Sequence, residues 1–183
     1  MDAPLFEGND LPGPMCLNLL SDSSTLCKLN DDNAYSLQDA STLFGRASII
    51  APMLPGRSVA CAGTAAWVWL GGIFPEAIDI IARSHYRAAR YGLKINVFNR
   101  RTLSKHVTQI GLVNITTPAR TACDLALNCT AVKEPLVGEI VCMLMQEFRF
   151  RPDECLRIME ESKHTRNACW ARKFFLTLEG RAG

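Results

Sequence analysis

The spacing of apolar residues changes at Thr117-Pro118, and that change limits what the chain can fold into. Upstream, Leu93, Ile95 and Val97 alternate with Lys94, Asn96 and Phe98, the period of a half-buried strand. Ala77 to Ala82 forms a second short, largely apolar strand candidate, and Leu112 to Thr116 a third. Downstream the period becomes helical. Ala122, Leu125, Ala126 and Cys129 make one stripe, and Leu136, Val137, Ile140, Val141, Leu144, Met145 and Phe148 make another over residues 134–149. Pro152 and Thr165 open two more helices, the last with Ala168, Ala171, Phe175 and Leu178 on one side. The expected class is α+β: a small mixed β-sheet with flanking helices and a helical C-terminal third. The three strands should share one sheet, with the helices at 118–128 and 134–149 packed on it. Leu93, Ile95, Val97, Leu125, Ile140 and Leu144 should then be buried together.

Residues 1–24 read as a flexible tail, since the first fifteen are acidic and carry Pro12 and Pro14. A single domain is expected over 25–183. It begins with a hairpin, Thr25–Leu29 and Ala34–Leu37, around Asn30-Asp31-Asp32-Asn33, residues that tolerate positive φ and bond to their own backbone. A helix over 38–54 stops at Pro55-Gly56. A short strand at Ser58–Cys61 and an apolar helix from Thr64 to Leu70 follow, the latter ended by Gly71-Gly72. Trp67 and Trp69, two apart on that helix, point to different sides. One belongs to the core, and the other is core or a protein contact.

The start of the chain has no basic residue and no apolar run, so it does not resemble a signal peptide. The most apolar window, Ile49 to Phe74, is broken by Pro52, Pro55, Gly56 and Arg57, short of the roughly 20 apolar residues of a membrane helix. A cytoplasmic protein without membrane contact is expected. Its eight cysteines, at 16, 27, 61, 123, 129, 142, 155 and 169, lack metal-knuckle spacing. They read as core thiols, and no metal or cofactor is expected.

Catalytic patterns are sparse. His85, His106 and His164 lie in polar, basic stretches and read as surface residues. Pro152-Asp153 with Glu161-x-Lys163 mimics a magnesium-dependent nuclease pattern. On one helix, however, the two acids would stand about 12 Å apart, at 1.5 Å rise per residue. The chain reads as non-enzymatic.

Charge is more informative. From Ile80 to Cys123 there is no Asp or Glu, while Arg83, Arg87, Arg90, Lys94, Arg100, Arg101 and Lys105 fall in that window. Tyr86 and Tyr91 are interleaved with the first three. Such a stretch sets up a positive field suited to phosphate, although a solvated basic face or pairing with the acidic ends of the chain is the plainer reading. Residues 83–91 are expected to project as a basic turn between two paired strands, binding nucleic acid weakly and without sequence preference.

Three segments together carry a family likeness: Thr64-Ala-Ala-Trp-x-Trp, then Arg101 to Leu103, then Ile115-Thr-Thr-Pro-Ala-Arg-Thr-Ala-Cys-Asp-Leu-Ala126. This combination resembles the actinobacterial proteins grouped with AbiEi-type antitoxins of type IV toxin-antitoxin systems. The resemblance spans 25–179 and is strongest over 58–127. It implies a neighbouring nucleotidyltransferase-like toxin as genetic partner. Against the family's usual plan, the chain corresponds to a core domain without the N-terminal winged helix or a C-terminal nuclease, and the 25–37 hairpin would be a remnant of the wing. The family-motif residues are Thr117, Pro118, Arg120, Thr121 and Asp124. Thr117 reads as N-cap and Pro118 as first helical residue. Arg120 and Asp124, four apart, can pair, or Arg120 can reach a partner or ligand.

Overall fold

The computed structural model describes residues 5–7, 19–21, 25–83, 90–129, 134–161 and 167–181. Two sheets organise them. The smaller is antiparallel: β1 (Leu5–Glu7), β2 (Leu26–Lys28) and β3 (Asn33–Ser36), in the order β1-β3-β2. The hairpin expected at 25–37 is present, its turn held by Asn30, whose Oδ1 accepts from the backbone of Asp32 and Asn33. It does not project like a wing. Tyr35 is buried in the main core, and Asn30 Nδ2 donates to the Tyr91 carbonyl at 2.6 Å. Leu5–Glu7, expected within the flexible tail, is instead a strand on β3, because Leu5 finds an apolar seat beside Tyr35.

The single helix expected at 38–54 is two helices and a turn. Here α1 (Leu37–Ala40) is capped by Ser36, α2 (Leu43–Ile50) is capped by Thr42 Oγ1, and a 3-10 turn spans Ala51–Met53. The break is tight: a Cβ on Gly45 would lie 1.9 Å from the Asp39 carbonyl oxygen. Two cap hydroxyls thus stabilise two short helices where the apolar pattern alone suggests one.

The larger sheet has the order β6-β5-β4-β8-β7. It is built from β4 (Val59–Ala60), β5 (Ala77–Ile81), β6 (Lys94–Phe98), β7 (Val107–Ile110) and β8 (Val113–Thr116), with α3 (Ala62–Leu70) between β4 and β5. The three expected strands share this sheet. β7 carries no sequence signal because Thr108 and Gln109 are exposed on an edge. It turns into β8 through Gly111-Leu112, with Gly111 at φ 58°. β5 and β6 run parallel, Ile78 opposite Ile95 and Ile80 opposite Val97. The connection between these paired strands is therefore a crossover, and of the projecting basic turn expected at 83–91, residues 84–89 lie outside the described residues. Its described end is a tight turn from Arg90 to Leu93 through Tyr91 and Gly92, both at positive φ.

Four helices close the chain: α4 (Pro118–Asn128), α5 (Glu134–Phe148), α6 (Pro152–Glu160) and α7 (Ala168–Arg181). The start expected at Thr165 falls outside the described residues. Strand alternation splits the core in two. Ala60, Ile78, Ile80, Ile95 and Ile115 face α2, Trp67 and Tyr35, while Val59, Ile81 and Phe98 face the helical third through Leu125, Val141, Leu144 and Phe175. The single core expected for Leu93, Ile95, Val97, Leu125, Ile140 and Leu144 is thus two, with the first three on one side and the last three on the other. No described helix is long and apolar enough to cross a membrane.

Candidate functional site

The Thr116–Asp124 run builds a polar cluster inside the fold. Thr121, fully buried, donates to the Thr116 carbonyl at 3.1 Å and lies 2.8 Å from the Thr116 hydroxyl. Pro118 starts α4, but Thr117 makes no side-chain cap. The fixing hydroxyls are those of its neighbour Thr116 and of Thr121 one turn on. Arg120 and Asp124 do pair, Nε to Oδ1 at 3.1 Å, at 2% and 0% exposure. Arg100, arriving from the end of β6, places Nη1 at 3.4 Å from the same oxygen and donates through Nη2 to Asn128 Oδ1 at 2.5 Å. Its guanidinium also lies 5.0 Å from the Phe98 ring centroid.

Burial raises the Asp124 carboxyl above the ordinary aspartate range, against the opposing pull of Arg120 and then Arg100. Among the described residues its Oδ2 has no hydrogen-bond partner, nor do the buried Asn128 Nδ2 and Thr102 Oγ1. Cys61 and Cys123 behave as small hydrophobes. Burial pushes both thiols well above their usual value, with Asp124 and Asp79 adding to the effect at Cys61 and a hydrogen bond to Cys155 at Cys123.

Three further polar contacts escape sequence reasoning. Arg46 on α2, 8% exposed, donates Nε to the Val68 carbonyl, Nη1 to Ala40 and Nη2 to Trp69. It thereby supplies a cation at the C-terminal end of α3. At the other end of α3, Asp79 from β5 accepts from the Gly63 amide at 3.0 Å and from Asn96 Nδ2 at 2.9 Å. A lone acid inside Ile78-Asp79-Ile80-Ile81 is the signal that would have found it, because a half-buried strand carboxylate needs donors. His106 is buried rather than on the surface, its Nε2 2.8 Å from Glu161 Oε2. Glu161 also bonds Lys105 Nζ, and these two partners, Lys105 first, hold its carboxyl below the glutamate range.

The nominated basic residues separate by environment. Arg90 Nη1 donates to the Pro52 and Leu54 carbonyls, tying the crossover to the 3-10 turn. Arg100 faces Asp124 and Lys105 faces Glu161, so acids from distant segments neutralise part of the acid-free stretch. Arg87 falls outside the described residues, as do His85 and His164. Arg83, Lys94 and Arg101 are exposed. Because β5 and β6 are parallel, Arg83 and Arg101 follow the C-terminal ends of neighbouring strands. Lys94 begins β6 at the other end, about 13 Å of strand away.

Asp153 pairs with Arg157 at 3.3 Å, and with Glu161 committed to Lys105 and His106 the nuclease-like acids each have other partners. Both tryptophan rings are also engaged. Trp67 stacks edge-on with Phe74 and Tyr35, Trp69 with Phe148, and each indole N–H donates to a carbonyl. Compared with known protein families and with curated proteins, the chain matches none.

Proposed function

We propose that this chain is a non-enzymatic, cytoplasmic regulatory protein of the antitoxin type, which acts through its surface. One observation carries the reading. In the run that most specifically resembles AbiEi-type antitoxins, the charged and hydroxyl side chains of Arg120, Thr121 and Asp124 close on partners inside the fold. The motif then defines a scaffold, and recognition falls to what the scaffold displays. The genetic partner implied by the resemblance is a neighbouring nucleotidyltransferase-like toxin. Co-expression with the adjacent reading frame tests this: relief of toxin-dependent growth arrest is expected, and arrest that persists in the presence of soluble, folded chain would refute it.

A second reading, weak and sequence-tolerant nucleic-acid binding, is favoured by the exposure of Arg83, Lys94 and Arg101 in a stretch free of acids. Three phosphate contacts give a salt slope of about −3 on duplex DNA. Replacing all three by Ala should abolish that binding and leave stability within about 0.5 kcal/mol, as for other surface changes. Titration of DNA and RNA at two salt concentrations, with urea denaturation of both proteins, checks this. Undiminished binding by the triple variant would place the contact elsewhere.

A further inference from the structure

The small sheet is completed by a segment remote from it in sequence. Residues 8–25 separate β1 from β2, and among the described strands β1 pairs with β3, Leu5 opposite Tyr35, Phe6 opposite Ala34 and Glu7 opposite Asn33. Successive strand residues point to opposite faces, and β3 offers an apolar seat on each. Leu5, 7% exposed, enters the main core with Tyr35, Ile49 and Trp67. Phe6 packs on the other side against Leu26 and Ala34. Glu7 remains exposed at the end of the strand. A three-residue outer strand with one strand neighbour among the described residues is the arrangement in which a separate extended peptide adds to a sheet, with backbone bonds giving affinity and alternate side-chain seats giving selectivity.

We propose that the outer edge of β3 is a strand-accepting site, filled here by the chain's own Leu5–Glu7, for an extended segment of another protein with the pattern aliphatic, aromatic, acidic. The occupant's chemistry is read from the segment already seated there. Leu5 defines the deep seat, Phe6 the shallow one, and an acid stands opposite Asn33.

The probe is a fluorescent peptide copying residues 2–10, with a control peptide bearing Asp in place of Leu5. It is titrated against three full-length proteins: wild type, Leu5→Asp, and an oxidised Phe6→Cys/Ala34→Cys variant confirmed by mass mapping. Leu5→Asp puts a charge into an apolar seat and should release β1. The cysteine pair, on directly opposed strand positions, should lock it. Expected are weak binding to wild type, at least tenfold tighter binding to Leu5→Asp, none to the locked chain, and none by the control peptide. A folded Leu5→Asp chain that binds no better than wild type overturns the proposal. Should Leu5→Asp fail to fold, wild type against the locked chain decides: binding abolished by the lock supports the site, and equal binding, or none to wild type, overturns it. A wild-type dimer abolished by the lock would assign the edge to a second copy of the chain and overturn the proposed partner.

Discussion

Two stretches of this chain are rich in polar side chains, and the fold treats them in opposite ways. In Thr116–Asp124 the hydroxyls of Thr116 and Thr121 turn inward and meet, and Arg120 pairs with Asp124 beside them. Along 83–105 the cations divide, with Arg90, Arg100 and Lys105 held by carbonyls and acids and Arg83, Lys94 and Arg101 left at the surface. The difference lies in the backbone that carries them. On α4, residues at i and i+4 share a face, and the helix is enclosed by α3, α5, α6 and α7, with Ala119 to Leu127 all buried. The edge strand β6 and the described residues that flank it are open to water, so a cation there stays solvated unless a carbonyl or an acid is brought to it. A distinctive sequence run therefore marks a packed interior, while a compositional bias marks the surface.

The sharpest way to break this contrast is to leave the buried cluster half-charged. Asp124→Ala strands Arg120 at 2% exposure and removes one partner of Arg100. Loss of one member of a buried ion pair costs about 3–5 kcal/mol, so urea denaturation should show most of a small domain's stability gone. A loss under about 1 kcal/mol would mean that the cluster is solvated. Arg46→Ala should come next, at about 2–3 kcal/mol, since it removes charge-assisted bonds to carbonyls at the end of α3.

The smallest effect concerns pH. The Glu161 carboxyl is lowered by Lys105 and His106, so it binds fewer protons in the folded chain than in the unfolded one. Its contribution is full above the ordinary glutamate value of about 4.3 and fades as pH falls through the lowered value. The stability difference between wild type and Glu161→Gln should shrink below that pH and stay level above it. Asp124 has the opposite sign: its raised carboxyl binds more protons in the folded chain than in the unfolded one, so its contribution falls as pH rises from the ordinary aspartate value and levels off above the raised one.

Much of the fold was legible because periodicity reports burial. The strands at β5, β6 and β8 and the stripes of α4, α5 and α7 were all visible as apolar spacing. Strand direction was not, since alternation over 93–98 is the same whichever way β6 runs. β7 was missed because an edge strand with Thr108 and Gln109 outward has no apolar face to repeat. Of the site, the Arg120–Asp124 pair followed from helical spacing. Arg100, Glu161 and Arg46 meet their partners across 24, 55 or 56, and 22 or 23 residues of chain, separations at which sequence carries no local signal.

The division between scaffold and surface is tested most directly by removing the buried charges without removing the fold. In Arg120→Met/Asp124→Leu, apolar side chains of similar volume replace the ion pair, an exchange that is often neutral or stabilising, while Arg100, which loses Asp124, keeps its bond to Asn128. The measurement is a salt-dependent nucleic-acid titration of this variant beside wild type. Affinity within about twofold and an unchanged slope of about −3 are expected, because Arg83, Lys94 and Arg101 are untouched. A folded double variant whose binding collapses, or whose slope changes by a full unit or more, would show that the buried run itself reaches the nucleic acid.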